Sequence, residues 1–291
     1  MHTAYLEAGA DIITTASYQG SVAGFVSAGF SENKAIELLQ SSVSLAKEAR
    51  DSFWSKQTDK NNGGNETSLS NCSNGVHSHQ GVKNRPLVAA SLGSYGAILC
   101  NGAEYTGDFG PDVTVEVLVR FHRERLAILA VMEPDLVIFE TIPSPEETSA
   151  VSQVLQHFQI PAIISFSCKD GVSVCHGEPF ASCVEALIGA DNVLAVGVNC
   201  TAPQHVEALL RSARKAIDEK GAKMGLVCYP NSGEDWSRTE RRYIDDESHL
   251  ADFPQLARRL ADAGLINIIG GCCRTTPELI CAVAKEIHGR K

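Results

Sequence analysis

Three cysteines stand where a folded chain could bring their thiols to one metal ion. Cys200 ends the apolar run 196–200, and the adjacent pair Cys272 and Cys273 follows the run 268–271, which closes on two glycines. Thiolates are soft ligands that favour zinc, and three protein ligands leave the fourth tetrahedral position open. The residue types and their placement therefore predict a catalytic zinc site.

Packing is the alternative explanation for these thiols, since a single cysteine at the end of a strand is most often a core residue. Packing explains the adjacent pair less well, because both thiols follow glycines and a disulfide between neighbouring residues would be strained. Cys228, near the end of another apolar run, is a rival ligand. We expect the cysteines that lack such a context to be structural: Cys100, Cys168, Cys175, Cys183 and Cys281.

The elements that must position the cysteines recur along the chain as short apolar runs, most of them followed by a helix-compatible stretch. The runs are apolar on both faces, which is typical of parallel strands with helices outside and side-chain layers inside. This repeat predicts an α/β fold, a (β/α)8 barrel of the TIM type, as one domain over residues 1–291. Active sites of such barrels lie at the carboxyl ends of the strands. The runs cover residues 10–15, 86–92, 135–140, 160–167, 193–200, 224–229 and 266–271.

Seven runs are one strand short of a closed barrel. Residues 5–9 read as the last turn of a helix that stops at Gly9, so we expect the first strand and part of its helix to be missing upstream. An open barrel exposes the edges of the two flanking strands. We therefore expect this chain to bind zinc but to turn over weakly.

A polar segment interrupts the pattern at residues 55–85, after a stretch of helical periodicity at 32–50. Its composition of Asn, Gly, Ser and His is too polar to bury an apolar face, which predicts a disordered surface insertion. Cys72, His77 and His79 fall within it. We do not expect them to bind metal, because a flexible loop holds no coordination geometry.

Charge and composition exclude several classes of function. The net charge is −10 and the charged residues are scattered, so no basic surface for nucleic acid or an anionic membrane is indicated. No apolar run approaches the ~20 residues of a membrane span, and the first residues do not resemble a secretion signal. We expect a cytoplasmic protein that acts on a small molecule, with its ten cysteines reduced.

The cysteine segments resemble the signature of a known enzyme family. Gly197-Val198-Asn199-Cys200 and the segment 270–277, GGCCRTTP, are similar to those of the homocysteine S-methyltransferases, whose relatives include betaine–homocysteine methyltransferase. Segments 10–19, 139–143 and 229–234 are also similar to family segments, so the resemblance runs nearly the whole chain. It is strongest to the plant enzymes that use S-methylmethionine.

The resemblance implies a reaction and a set of site residues. It implies zinc-dependent methyl transfer from a sulfonium donor, S-methylmethionine or S-adenosylmethionine, to homocysteine, giving methionine without cobalamin or flavin. By the same resemblance Glu140 would hold the amino group of homocysteine, while Thr15 and Asn199 would line the amino-acid site. The zinc ligands it implies are Cys200, Cys272 and Cys273.

Some questions stay open at this point. Glu140 has a structural alternative, an ion pair with a lysine or arginine. The family carries an Asp-Gly-Gly segment on the first strand that nothing here matches. Two rival functions are a zinc hydrolase and a catalytically silent chain that binds zinc and acts through a partner. The preferred donor and the oligomeric state are not determined by the sequence.

Overall fold

The computed structural model describes residues 1–62, 84–233, 236–237, 242–243 and 252–288. Its main feature is a curled sheet of seven parallel strands that lie side by side in chain order. Over the described residues, no helix is both long and apolar enough to cross a membrane. The strands are β1, Ile12–Thr14; β2, Leu87–Gly93; β3, Leu136–Ile142; β4, Ala162–Phe166; β5, Val193–Asn199; β6, Gly225–Tyr229; and β9, Ile268–Ile269.

Helices connect the strands and cover the outer face of the sheet. A separate two-stranded antiparallel ribbon, β7 (Trp236–Ser237) and β8 (Arg242–Tyr243), follows β6. The helices are α1, His2–Glu7; α2, Val22–Ser27; α3, Glu32–Asn62; α4, Tyr95–Leu99; α5, Val115–Ala130; α6, Pro145–Leu155; α7, Phe180–Glu185; α8, Pro203–Glu219; α9, Phe253–Asp262; and α10, Pro277–His288, with a short 3-10 helix at Ala103–Tyr105.

Burial on both faces explains why the strands are apolar throughout. The larger core lies between the sheet and its helices and includes Phe139 and Phe166. A smaller cluster on the concave side contains Ile138, Ile163 and Val227, whose side chains form the interior layer of the half-barrel. Removing both faces from water stabilises the fold by roughly 25 cal/mol for each Å² of apolar surface buried.

The predicted fold class is confirmed, and each of the seven predicted strand regions contains a strand of the sheet. The strands β1 and β9 form the two edges, with no further strand paired on their outer sides within the described residues. The sheet therefore has the seven strands expected of a barrel that lacks one.

The helix predicted over 32–50 extends further than its apolar periodicity, to Asn62. Residues 55–62 of the predicted disordered insertion are therefore helical. Phe53 is buried and anchors this part of α3, and residues such as Lys56 and Gln57 favour helix even though they bury little surface. The polar composition of residues 55–62 did not predict their helical structure, because extending an existing helix is much easier than starting one. Residues 63–83, with Cys72, His77 and His79, lie outside the described residues.

Candidate metal and substrate site

The carboxyl ends of β5 and β9 bring the three predicted cysteines together. The Sγ atom of Cys200 lies 2.6 Å from that of Cys272 and 3.7 Å from that of Cys273, and the Sγ atoms of the adjacent pair are 3.9 Å apart. The strand β6 separates β5 from β9 in the sheet, as the sequence predicted. Within the described chain these three residues form the one cluster of possible metal ligands, with all ligand atoms within 4.8 Å of one another.

Backbone contacts at the strand ends aim the thiols at each other. Cys200 leaves β5 with a left-handed φ of 45°, and its N–H donates to Tyr229 O at 3.3 Å. The N–H of Cys272 donates to Pro230 O at 2.9 Å, which ties the second cysteine segment to the end of β6. A Cβ at Gly271 would lie 2.5 Å from Thr275 Oγ1, so this tight turn requires glycine.

The donor set fits a zinc ion. Four ligands at the usual Zn–S distance of about 2.3 Å stand about 3.8 Å apart at the corners of a tetrahedron. The separations of Cys273 from Cys200 and from Cys272, 3.7 and 3.9 Å, match that edge, and only the Cys200–Cys272 separation is shorter. Three soft sulfur donors with no fourth protein ligand in the cluster suit zinc with an open position.

Crowding and burial favour the protonated form of the Cys200 and Cys272 thiols. Contacts with Cys272 and Cys273, followed by burial, raise the pKa of Cys200 well above its ordinary value. At Cys272 the contact with Cys200 lowers the pKa, but the contact with Cys273 and burial outweigh it, and the net pKa is raised. A divalent cation reverses this balance, because it favours deprotonated thiols.

The rival ligand Cys228 does not join the cluster. Its side chain is fully buried in the core between sheet and helices, and burial raises the pKa of its thiol to about 12. Cys168 and Cys183 pack in the same core, as expected of structural cysteines. Strand alternation explains why the Cys228 thiol stays away from the cluster. Successive residues of a strand point to opposite faces of the sheet, so Cys228 faces the helices whereas Tyr229 faces the interior.

Glu140 is a buried carboxylate near the carboxyl end of β3, with a side chain 9% exposed. Ser91 Oγ donates to its Oε1 atom, and the Tyr229 hydroxyl forms a second hydrogen bond. Burial raises the pKa of Glu140, against the lowering effect of these two hydrogen bonds. The hydrogen bonds described for it come from hydroxyl groups rather than from the lysine or arginine of the ion-pair alternative. The charge of Arg125 acts on Glu140 without a hydrogen bond between them, since Arg125 donates to backbone carbonyls. A buried carboxylate that no cation contacts directly attracts an ammonium group.

Thr15 is buried and hydrogen-bonded to Ser17 and to Ser91. Its hydroxyl is 2.6 Å from Ser17 Oγ and accepts from the N–H of Ser91 at 3.0 Å. Since Ser17 Oγ donates its proton to Ser91 O, at 2.7 Å, Thr15 must be the donor to Ser17. Thr15 therefore has no proton left for a substrate and orients Ser91, which in turn holds Glu140.

Asn199 is also fixed by its neighbours. Its Oδ1 atom accepts from the Thr141 N–H and from Ser165 Oγ, both at 2.8 Å. Its Nδ2 atom donates to Thr141 Oγ1 at 2.7 Å, and the residue is 1% exposed. Asn199 is thus the last residue of β5, next to Cys200, and has one amide proton free of these bonds.

A family profile covers nearly the whole chain, including these cysteines and Glu140. The profile described as homocysteine S-methyltransferase matches residues 1–287. The chain belongs to the homocysteine S-methyltransferase family.

Members of the homocysteine S-methyltransferase family align over the whole chain. Homocysteine S-methyltransferase 1 of Zea mays is 44% identical over 294 residues, which cover 100% of this chain and 83% of the maize protein. Its namesake in Arabidopsis thaliana is 43% identical and covers 100% and 82%. The crystal structure of the homocysteine methyltransferase MmuM from Escherichia coli, in its metallated form, superposes with a TM-score of 0.74 at 32% identity, covering 97% of this chain and 81% of that chain.

Two tyrosines at the site of this homocysteine S-methyltransferase family member were missed by the sequence reasoning. Burial raises the pKa of Tyr18, whose hydroxyl bonds Thr141 and which lies close enough to Cys200 for their charges to interact. Burial is also the main cause that raises the pKa of Tyr105, and the nearby Cys200 and Cys273 raise it further. Tyr18 falls inside the family segment 10–19, which was a usable signal. Tyr105 lies in a short 3-10 helix that no pattern predicts.

The cysteine cluster also borders a lateral cavity. Its volume is about 550 Å³, and it lies between the sheet edges β1 and β9, under α1 and α10. Ile138, Ile163 and Val227 of the interior layer line it, together with Tyr229 and Cys272. The interior of the half-barrel therefore opens to Cys272 from the side.

Proposed function

We propose that this protein transfers a methyl group from a sulfonium donor to homocysteine at a zinc site formed by Cys200, Cys272 and Cys273. The observation that carries the proposal is the convergence of three thiols within 4.8 Å at the strand ends, near the buried Glu140. Family membership supports homocysteine as the acceptor. The metallated form of MmuM supports the presence of a metal.

The cysteines would hold the zinc ion, and they must release their protons to do so. Zinc bound by three thiolates supplies an open position that lowers the pKa of a substrate thiol, while leaving its sulfur nucleophilic. Cys273 is suited to a ligand role because its two Sγ separations already match a tetrahedral edge.

Glu140 would bind the ammonium group of homocysteine. Ser91 and Tyr229 fix its carboxylate, so little side-chain freedom is lost when the substrate arrives. Thr15 and Asn199 would support this end of the site from behind, Thr15 through Ser91 and Asn199 through Thr141. These three hydroxyl groups and one amide group would orient the carboxylate of Glu140 and take no part in the reaction.

The transfer itself is a displacement at carbon. The homocysteine sulfur, having lost its proton to solvent, attacks the donor methyl carbon. A new S–CH₃ bond forms as the old one breaks, and its electron pair stays on the donor sulfur, so the sulfonium becomes a neutral thioether. The product is methionine, which places the protein in methionine biosynthesis. S-Methylmethionine is the proposed donor, S-adenosylmethionine the second, and the cytoplasm the proposed compartment.

A labelled-donor assay tests the proposal. The purified protein with one equivalent of zinc is given homocysteine and either donor carrying a CD₃ group, and methionine is analysed by mass spectrometry. We expect CD₃-methionine, formed faster from S-methylmethionine. Bound zinc without any transfer would favour the catalytically silent chain. The lateral cavity between the edges β1 and β9 makes this outcome worth testing. Hydrolysis of esters or amides without a thiol would favour the hydrolase.

A further inference from the structure

A chain of hydrogen bonds crosses the interior of the sheet and ends at Glu140. It starts at Asn199 Oδ1, which lies 2.8 Å from Ser165 Oγ on the neighbouring strand β4. Ser165 Oγ also contacts the hydroxyl of Tyr229, and that hydroxyl forms a hydrogen bond with Glu140. Since Thr141, the residue after Glu140, donates its N–H to Asn199 Oδ1 at 2.8 Å, both ends of the chain meet at the end of β3. Three links therefore connect the Asn199 amide to the Glu140 carboxylate.

The chain has acceptors at both ends. The orientation of the Asn199 amide is fixed, because its Oδ1 faces the N–H of Thr141, which can only donate, and its Nδ2 donates to Thr141 Oγ1 at 2.7 Å. An amide oxygen and an ionised carboxylate have no proton to give. The three links therefore share two hydroxyl protons, those of Ser165 and Tyr229. When Glu140 is ionised, the chain is one hydrogen short.

Burial shows where a ligand can supply the hydrogen that the chain lacks. Ser165 is 0% exposed and Asn199 1%, so the link between them is closed to a ligand. Tyr229 is only half-buried, and it lines the lateral cavity. When Ser165 donates to Asn199, the Tyr229 proton goes to Ser165. A lone pair of the Tyr229 hydroxyl then faces the carboxylate of Glu140, and two acceptors lie side by side at the accessible end of the chain.

We propose that the Tyr229 hydroxyl binds the ammonium group of homocysteine together with Glu140, as a second acceptor for its N–H bonds. This inference rests on the proposed function and deepens its acceptor side. An ammonium group has three N–H donors, so it bonds both oxygens and supplies the missing hydrogen. In the protein without substrate a proton on Glu140 supplies it, in keeping with the raised pKa of that carboxyl, for which burial is the main cause. The chain therefore makes the site select substrates that carry a free amino group.

Tyr229→Phe removes the acceptor and keeps the ring. Calorimetry on the zinc-loaded protein compares homocysteine with 4-mercaptobutanoate, which has the same thiol and carboxylate but no amino group. We expect Tyr229→Phe to weaken homocysteine binding by about 10- to 100-fold, the range of a hydrogen bond to a charged group, and to leave 4-mercaptobutanoate binding nearly unchanged. Equal losses for the two ligands would contradict the proposal. Tyr95→Phe, whose ring packs on Phe109 and Phe121, is the matched control and should keep both affinities.

A second background separates direct binding from support of Glu140. Tyr229 also holds that carboxylate, so a purely structural role would act through Glu140 alone. In Glu140→Ala protein a supporting role has nothing left to support, whereas a direct acceptor still binds the ammonium group. We expect Tyr229→Phe to weaken homocysteine binding further in this background and to leave 4-mercaptobutanoate binding unchanged there. No additional loss of homocysteine affinity would overturn the proposal.

Ser165→Ala changes the number of shared protons without removing either binding group. Tyr229 then donates its proton to Glu140, and the chain is complete before the substrate arrives. We expect the preference for homocysteine over 4-mercaptobutanoate to fall. Ser42→Ala, which removes a buried hydroxyl that donates to Leu39 O at 2.6 Å within α3, should keep the wild-type preference. An unchanged preference in Ser165→Ala would contradict the proposal. Zinc-loaded wild-type protein that does not bind homocysteine at all would instead contradict the proposed function on which it rests.

Discussion

Asn199 holds Thr141 in a backbone conformation that a threonine rarely adopts. Thr141 has a φ of 63°, and Asn199 grips it twice, accepting from its N–H at 2.8 Å and donating to its hydroxyl at 2.7 Å. A β-branched residue at positive φ is strained. Because Thr141 follows Glu140 directly, this strained link fixes the direction of the carboxylate.

Removal of the amide should therefore affect both stability and binding. Asn199→Ala leaves the buried N–H of Thr141 without its acceptor, and we expect a loss of about 1–3 kcal/mol in the free energy of unfolding. Homocysteine affinity should fall as well, because Glu140 is no longer held. Denaturant unfolding and titration calorimetry measure the two effects.

The matched control is Asn192→Ala. Asn192 donates to Leu155 O at 3.1 Å and Phe158 O at 3.0 Å, away from the site. It should lose stability and keep its homocysteine affinity. Equal losses of affinity in the two variants would show that the effect of Asn199 is general destabilisation.

Zinc binding should depend on all three clustered cysteines. We expect Cys200→Ser, Cys272→Ser and Cys273→Ser each to lose most of the metal, because two remaining thiolates do not complete the ligand set. Mass spectrometry of elements after dialysis against a weak chelator gives the zinc content.

Cys228→Ala is the control for that series, because this cysteine lies on a neighbouring strand and faces the core. It should keep one zinc per chain and lose some stability to the cavity it leaves. Full zinc occupancy in any of the three serine variants would remove that cysteine from the ligand set.

Glu140→Gln should weaken homocysteine binding without releasing the metal. The neutral amide loses its attraction for the substrate ammonium, and we expect a cost of about 1.5–3 kcal/mol in binding free energy, the range for hydrogen bonds to charged groups. Calorimetry on the zinc-loaded variant measures it. Unchanged affinity would leave Glu140 as a structural carboxylate.

The same substitution predicts a pH dependence of stability. The folded protein raises the pKa of Glu140 above its ordinary value of 4.5, mainly by burial. As the pH rises past 4.5, the unfolded chain ionises first, so the wild-type protein loses stability until the folded carboxyl ionises too. Relative to Glu140→Gln, the free energy of unfolding of the wild-type protein should therefore fall as the pH rises from 4.5 towards 7. A difference that does not vary with pH would contradict this assignment.

Deleting residues 63–83 should change the melting temperature little. The segment is polar, and loop entropy depends only weakly on loop length. A short Gly-Ser linker would join Asn62 to Asn84. The wider deletion of 55–85 should be less well tolerated, because it removes the end of α3 and Arg85, which pairs with Asp51. A large loss of stability in the narrow deletion would mean that the segment packs on the core.

Strand positions were predictable because burial on both faces makes each strand a continuous apolar run. Strand lengths were less predictable. The runs at 10–15 and 266–271 yield only Ile12–Thr14 and Ile268–Ile269, the shortest strands of the sheet. These are its two edges, and each pairs with one neighbour only within the described chain. Pairing, rather than hydrophobicity, determines where such strands end.

The cluster of three cysteines could be predicted from residue types, whereas the residues around it could not. Cysteines after two strands one unit apart must meet at the mouth of the sheet. Arg125 and Gly20 are 105 positions apart, and their contact involves a backbone carbonyl, which every residue has. Neither periodicity nor residue type marks such a pair, so this contact could only be seen in the folded structure.

The most direct test of the account is a zinc titration of metal-free protein in the presence of homocysteine and CD₃-labelled S-methylmethionine. Methionine formation should begin with the first zinc added, rise in proportion and level off at one equivalent per chain. Cys273→Ser should remain at background throughout. Methyl transfer at full rate by the metal-free protein, or by Cys273→Ser, would contradict the central claim that these three thiols form a catalytic zinc site.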